Sequence, residues 1–333
     1  MSPRDTDPVE AADGEMDLYE VSTWEKRSLL DRLSVLIYWL AVRTGQAIVI
    51  LVAFAILVAL GGVSAITDPA IGVLTLLSAL PALALAVYVW HSDVTSSEPL
   101  SVMAITYLLG VLTASFAAVL NGLLQPFFSA LGALGMVLFF YLVVGPVEET
   151  VKLLAVRLYA YDDDRFAAVV DGAVYGAVAG LGFATIENAI YISRVVGEVG
   201  SVGLGLDLIG VGGDIATVRA LAGPGHVVYS AFAGYYLGLA KFNPEDHGPI
   251  VVKGIVVAAL IHATYNATVG VGTGLIALVT GLPGIVAFFV FVVIYVGFFG
   301  YLLYRKIARY RRAYREAGAG EVAPEEAAVA ESE

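Results

Sequence analysis

Long apolar runs alternate with short polar segments along almost the whole chain. A helix needs about 20 apolar residues to cross a bilayer, and the runs here reach that length. They predict an all-α, polytopic membrane protein with about eight transmembrane helices. The predicted spans are approximately 46–66, 70–90, 100–123, 130–158, 167–193, 217–240, 249–270 and 284–304.

The segments outside these runs predict four regions. Residues 1–23 are an acidic tail, which we expect to be disordered. Residues 24–45 alternate basic and apolar side chains at helical spacing, which predicts an amphipathic helix on the membrane surface. A cytoplasmic extension of the first span is the alternative. Residues 46–308 then form the eight-helix transmembrane domain, and residues 309–333 a basic and then acidic cytoplasmic tail.

Composition agrees with a membrane protein, since 59% of the 333 residues are hydrophobic and only 14% are charged. The chain has no cysteine, which excludes disulfides, a thiol nucleophile and thiolate metal ligands. Its net charge of −12 is typical of a protein that works in high salt. The expected partners are the lipid bilayer and a membrane-anchored protein, and no nucleic acid.

The distribution of Lys and Arg predicts the orientation, because these residues stay in the cytoplasm. With the N-terminus inside, sixteen of the eighteen Lys and Arg residues fall in cytoplasmic segments or helix ends. Only Arg194 and Arg219 are then assigned to outer loops. An even number of spans places the C-terminus in the cytoplasm as well.

Ionisable residues are confined to the fourth to seventh spans. Each costs about 3 kcal/mol at the centre of a bilayer, so such residues usually serve a function. Together they predict a polar four-helix catalytic core, residues 130–270. The seven residues that we assign to this core are Glu148, Glu149, Lys152, Asp171, Glu187, His226 and His262.

The fourth span carries two adjacent acids just after Pro146, which should kink or loosen the helix. Adjacent helical residues point about 100° apart, so Glu148 and Glu149 face different surroundings. Glu148 lies one turn from Lys152 and is expected to pair with it, which could be no more than charge neutralisation. Glu149 would then face another neighbour.

The fifth span carries glycines at every fourth position, Gly172, Gly176 and Gly180. Such a stripe lets two membrane helices approach closely, so we expect it to pack against a neighbour. Asp171 is one turn from Tyr175, which predicts a local hydrogen bond.

The remaining candidates lie further along. Glu187 is a carboxylate deep in the fifth span, and His226 follows a Gly-Pro-Gly segment at the start of the sixth. His262 and Asn266 are one turn apart in the seventh, so they share a face. At 1.5 Å of rise per residue these positions have overlapping depths, which allows one shared site in the middle to outer part of the bilayer.

Two mechanisms suit these side chains. A glutamate can act as general base on water while histidine and Asn266 stabilise the oxyanion. Alternatively, Glu149, Glu187, His226 and His262 could hold a zinc ion with an open position. The residues leave both open.

The same residues resemble the PrsW family of intramembrane proteases, which belongs with the CaaX prenyl endopeptidases and bacteriocin-processing proteins. The resemblance covers residues 140–270. Where the CaaX branch has Phe-x-x-x-His, this chain has Phe183-x-x-x-Glu187, which leaves a glutamic or a metal-dependent mechanism open. The motifs are Glu148-Glu149-x-x-Lys152, the Asp171–Asn188 block, His226 with Gly234 and Gly238, and His262-x-x-x-Asn266.

The resemblance implies an endopeptidase that cuts membrane-anchored proteins, in a site-1-type cleavage with anti-sigma factors as the best-known substrates. We hypothesise Glu149 as general base with Glu148 paired to Lys152, and Glu187 as a metal ligand or as a partner that orients a histidine. His226, His262 and Asn266 would stabilise the oxyanion. A proton- or ion-coupled transporter and a non-catalytic membrane scaffold are the alternatives.

Overall fold

The structure is a computed structural model that describes residues 17, 19–20, 23–60, 62–63, 67–93, 98–199 and 211–330. Within these ranges the chain forms eight long helices and two short 3₁₀ turns. The helices are α1 (Leu29–Ala59), α2 (Pro69–His91), α3 (Leu100–Ser129), α4 (Gly132–Arg157), α5 (Val169–Val199), α6 (Val211–Lys241), α7 (His247–Thr280) and α8 (Gly284–Ala330).

Seven of these helices are long and apolar enough to cross a membrane, which confirms the prediction of an all-α, polytopic membrane protein. The exception is α6, which contains the predicted span 217–240 and carries Asp214, Arg219 and Lys241. Its inner residues, such as Val227 and Ala231, are fully buried against other helices. Because protein surrounds it, α6 can carry more polar side chains than a helix in lipid.

The N-terminal part of the chain forms one continuous helix where the sequence predicted two. The predicted surface helix, 24–45, and the first span, 46–66, both fall largely within α1, which begins at Leu29. Residues Met1–Leu51 form one compact unit and Val52–Glu333 another. The position of α1 relative to the membrane surface stays a prediction, and most of the predicted tail, 1–23, lies outside the described residues.

The predicted glycine stripe forms a close contact between two helices of the core. A Cβ atom on Gly172, Gly176 or Gly180 would lie 2.2–2.4 Å from a backbone oxygen of α6. The opposing oxygens belong to Gly234, Ser230 and His226 respectively. The stripe therefore packs backbone against backbone, as predicted, and holds His226 directly opposite Gly180.

A distortion in α4 places the two adjacent acids. Residues Phe140–Val144 form a π-helical turn, which ends where Gly145 donates its N–H to the oxygen of Phe140. Pro146 follows and cannot donate to the preceding turn, so the wider turn relieves the conflict that the sequence predicted as a kink. A Cβ atom on Gly145 would lie 2.6 Å from the oxygen of Ala259 in α7. The missing side chain thus brings α4 close to α7.

Candidate active site

The structure gathers the predicted site residues from four helices. Five of the six line one cavity of about 430 Å³, and the sixth, Glu149, lies behind its wall. Side chains from α3, including Asn121 and Gln125, also line it. The five predicted residues on the cavity are Glu148, Glu187, His226, His262 and Asn266.

Glu149 is fully buried and bonded on several sides. Its Oε1 atom lies 2.7 Å from Nζ of Lys152 and 2.9 Å from Nδ1 of His262, and Oε2 accepts a longer bond of 3.4 Å from Ser230. The ion pair that the sequence predicted between Lys152 and Glu148 is present, although Glu149 lies closer to Lys152. Nζ lies 3.7 Å from Glu148 but is within hydrogen-bond distance of Glu149. Glu149 is thus the anion that neutralises Lys152 and orients His262.

Glu148 faces the cavity instead. Its Oε1 atom accepts a 3.1 Å hydrogen bond from the amide of Asn121 in α3. Its Oε2 atom is buried without a hydrogen-bond partner among the described residues and lies 3.8 Å from Nε2 of His262. Asn121 was not among the predicted residues, because a lone asparagine in an apolar span carries no sequence signal for a partner on another helix.

The ring of His262 is fixed by Glu149. A carboxylate can only accept, so Nδ1 carries the proton and Nε2 presents its lone pair toward Glu148 and the cavity. A histidine held by a carboxylate in this way is the usual arrangement of a metal-binding or proton-accepting imidazole. Tyr229 stacks on the same ring, with centroids 5.1 Å apart, which restricts its rotation.

His226 has the opposite arrangement. Its Nδ1 atom lies 2.9 Å from Nζ of Lys152, and an ammonium group can only donate. The proton of the neutral ring therefore sits on Nε2, which lies 3.0 Å from Oε2 of Glu187. His226 links Lys152 to Glu187, and so joins the two acidic parts of the site.

Glu187 also contacts an arginine that the sequence analysis placed in an outer loop. Arg219 lies in α6, where it forms an ion pair with Glu187 and donates a 2.9 Å bond to the side-chain oxygen of Asn188. The amide of Asn188 donates in turn to Ser78 of α2. Arg219 is helical, in agreement with the predicted span 217–240, so its assignment to an outer loop was wrong.

The residues at this site include a set of metal-ligand type. One ligand atom each from Glu148, His226 and His262 lies within 4.8 Å of the other two. The Oε2 atom of Glu148, which accepts no hydrogen bond from the described residues, and the Nε2 lone pair of His262 can bind a metal ion without any change of protonation. His226 suits it only once a proton leaves the Lys152–His226 pair. Glu149, predicted as a ligand, lies outside this set because its oxygens bind Lys152, His262 and Ser230.

A bundle of apolar helices around buried carboxylates, histidines and a cavity defines a membrane-embedded hydrolytic enzyme. Residues 98–298 match the model of the family described as PrsW family intramembrane metalloprotease, and the chain belongs to this family. It is therefore an intramembrane protease. This decides against the transporter and scaffold hypotheses and confirms the resemblance drawn from the motifs.

Individual relatives agree. Protease PrsW of Geobacillus kaustophilus is 30% identical over 194 residues, which cover 56% of this chain and 75% of the relative. Protease PrsW of Bacillus subtilis is 29% identical over 188 residues, or 56% and 78% of the two chains. Protease PrsW of Clostridioides difficile is 27% identical over 195 residues, or 58% and 77%. No solved structure matches the chain.

Proposed function

We propose that this protease hydrolyses peptide bonds of membrane-anchored proteins in the cavity beside Glu148. The observation that carries the proposal is the Oε2 atom of Glu148, which is buried and has no hydrogen-bond partner among the described residues. It lies 3.7 Å from Nζ of Lys152 and 3.8 Å from Nε2 of His262. Burying a carboxylate oxygen without a hydrogen bond costs desolvation free energy. Such an oxygen is suited to binding a metal ion or a reacting water, which would offset that cost.

Glu148, His262 and, after loss of one proton, His226 would hold the metal ion that the family's description implies. Nitrogen and oxygen donors of this kind suit zinc. Bound there, the ion would polarise the peptide carbonyl and make water easier to deprotonate.

Glu187 is the side chain that we assign to proton transfer. Apart from Glu148 it is the only acidic residue among those lining the cavity, and its side chain keeps 22% of its surface exposed there. The ion pair with Arg219 keeps Glu187 ionised, which is the form that accepts a proton from water. Glu187 would then return the proton to the leaving amine. The sequence analysis gave the role of base to Glu149, whose enclosed carboxylate lacks access to the cavity.

The remaining residues position these groups. Asn266 lies one helical turn from His262 and lines the cavity, where its amide can donate to the carbonyl oxygen as negative charge develops. Glu149 sets the ring of His262, and Asn121 sets the carboxylate of Glu148. The two are positioning residues.

The substrate class that we propose is a single-pass membrane protein, such as an anti-sigma-like regulator, cut in a site-1-type cleavage. The basic residues of the loops and helix ends support cytoplasmic N- and C-termini. With this orientation Glu187 lies about 27 Å along α5 from its cytoplasmic start. We therefore propose a cut near the external face of the membrane.

The test compares the membrane proteomes of cells that express the wild-type chain or the Glu148→Gln variant. We expect one or a few single-pass proteins to remain full length only with the variant, and their new termini with the wild type to map near the external face. Gly197→Ala serves as the control, because a Cβ atom at Gly197 meets nothing within 4 Å.

Identical fragment patterns for the wild type and Glu148→Gln, at equal amounts of folded protein, would reject the assignment of Glu148. New termini on the cytoplasmic side would reject only the depth of the cut. A purified Glu187→Gln variant that still cleaves the identified substrate at the wild-type rate would reject the role of Glu187 in proton transfer.

A further inference from the structure

Away from the active site, three carboxylates converge where α2 ends and where α3 and α5 begin. They belong to Asp93, Glu98 and Asp171, and one oxygen atom of each lies within 4.8 Å of the other two. Asp171 is about 24 Å along α5 from Glu187, so the two groups are separate. Glu98 and Asp171 are buried, and Asp93 is partly exposed.

Glu98 is the informative member of this acidic cluster. Its residue is only 3% exposed, and neither of its carboxylate oxygens has a hydrogen-bond partner among the described residues. Nor does any Lys or Arg of the described ranges form an ion pair with it. An ionised carboxylate buried in this way needs a counter-charge, because its desolvation costs several kcal/mol.

Two cationic side chains at this end of the molecule are bonded to other groups. Arg165 pairs with Asp163, and Lys241 donates to the carbonyl oxygens of Tyr161 and Asp163. The hydroxyl of Tyr175, one turn along α5 from Asp171, is also buried and has no partner in the described part of the chain. The sequence analysis paired it with Asp171, and this was wrong. Asp171 accepts the N–H groups of Ala167 and Ala168 instead.

We propose that Asp93, Glu98 and Asp171 form a second, structural metal site that binds the hard divalent cation Ca²⁺. Oxygens bound to Ca²⁺ at about 2.3–2.6 Å can be separated by at most about 5 Å, which the three observed separations satisfy. An all-carboxylate donor set selects such cations over zinc, which favours nitrogen and sulfur. The cation would tie the ends of three helices together.

The electrostatic surroundings of this cluster are compatible with two states, a bound cation or a shared proton. Burial, together with the neighbouring Asp93 carboxyl group, raises the pKa of Glu98 to about 9. The protein alone thus disfavours the charged form of Glu98, and a bound cation would offset the cost. Without a cation, the same carboxyl groups would have to share a proton, and the experiment separates these two states.

The experiment uses the full chain, purified in detergent and stripped with EDTA. All variants carry His262→Ala, which removes one of the active-site metal ligands. Mn²⁺ is the spectroscopic probe for a hard cation. We expect one Mn²⁺ to bind and Ca²⁺ to compete with it. Adding Glu98→Gln should weaken binding at least about tenfold, the loss that even an indirect ligand partner causes.

Asp162→Asn is the matched control, since this exposed acid lies in the loop before α5 and pairs with Arg157 rather than with the cluster. It should bind Mn²⁺ like its parent. Equal Mn²⁺ binding with and without Glu98→Gln, or no Mn²⁺ binding in either protein, overturns the proposal. If the Glu98→Gln variant is more stable than its parent at every Ca²⁺ concentration, the carboxyl groups share a proton instead. If Glu98→Gln does not fold, Asp93→Asn, at the partly exposed ligand, decides by the same criteria.

Discussion

Glu149 and His262 are joined by a 2.9 Å contact across 113 residues of sequence, and this contact separates the roles of the two adjacent glutamates. The neighbouring Glu148 approaches the same ring from its other nitrogen, at 3.8 Å. Glu149 therefore contacts Nδ1 of the imidazole on the side away from the cavity, and Glu148 lies near Nε2 on the cavity side.

The first prediction contrasts these two acids. Glu148→Gln should abolish cleavage and change the stability little, because Oε2 of Glu148 has no hydrogen bond to lose. Glu149→Gln should destabilise the protein by about 3 kcal/mol, because it leaves the buried Lys152 without its nearest counter-charge. Thermal unfolding in detergent and cleavage of the same substrate measure the two effects. Equal stability of both variants would contradict the division of roles.

The second prediction concerns the metal. Metal analysis of the purified wild-type chain should find one transition-metal ion, which Glu148→Gln and His262→Ala lose together with activity. Glu187→Gln should keep the ion and lose activity, because we assign Glu187 to proton transfer. Chelation should inactivate the wild type, and zinc should restore it. Full activity in metal-free protein would instead favour a glutamic mechanism.

The third prediction tests Arg219 as a positioning residue. Arg219→Ala removes the ion pair that orients Glu187 and should lower the rate of cleavage about 10- to 100-fold. Arg219→Lys should recover part of that loss. If Arg219 acts through Glu187, the double variant with Glu187→Gln should be no slower than Glu187→Gln alone, as a double-mutant cycle measures. Additive losses would indicate a separate role.

The fourth prediction concerns the glycine stripe. In Gly176→Ala the new Cβ atom would lie 2.3 Å from the backbone oxygen of Ser230, so α5 and α6 must separate. We expect a loss of stability of about 1–3 kcal/mol and a lower rate, since His226 is one turn from Ser230. Gly197→Ala, in the same helix with open space around it, should be neutral or slightly stabilising. Unfolding temperatures compare the pair directly.

The sequence predicted the helices and most of the site because the signals for them are local. Apolar runs, the glycine spacing and ionisable residues within apolar runs are all visible along one helix. Contacts between helices are not visible in this way. The partners of Glu149 and Glu187 follow from how α4, α5, α6 and α7 pack, and a single sequence does not encode them as a pattern.

Arg219 and Asn121 illustrate two kinds of omission. Arg219 was counted with the outer loops although it lies at the start of the predicted span 217–240. Its contact with Glu187 follows only from the packing of α5 against α6. Asn121 is an isolated amide in an apolar helix, and only the approach of Glu148 gives it a role. Sequence spacing also does not reveal which side of α4 faces the cavity, and for this reason our proposal moves the role of base from Glu149 to Glu187.

The close contact between the backbones of α5 and α6 also limits how a substrate can reach the cavity. No side chains separate the two helices at Gly172, Gly176 and Gly180, so a peptide cannot pass between them without breaking a backbone-to-backbone contact. The opposite flank of the cavity is bordered by α3, where Gly122 and Gln125 are exposed. A substrate helix therefore does not reach the catalytic groups between α5 and α6 at these glycines, and this restricts the directions from which a scissile bond can approach them.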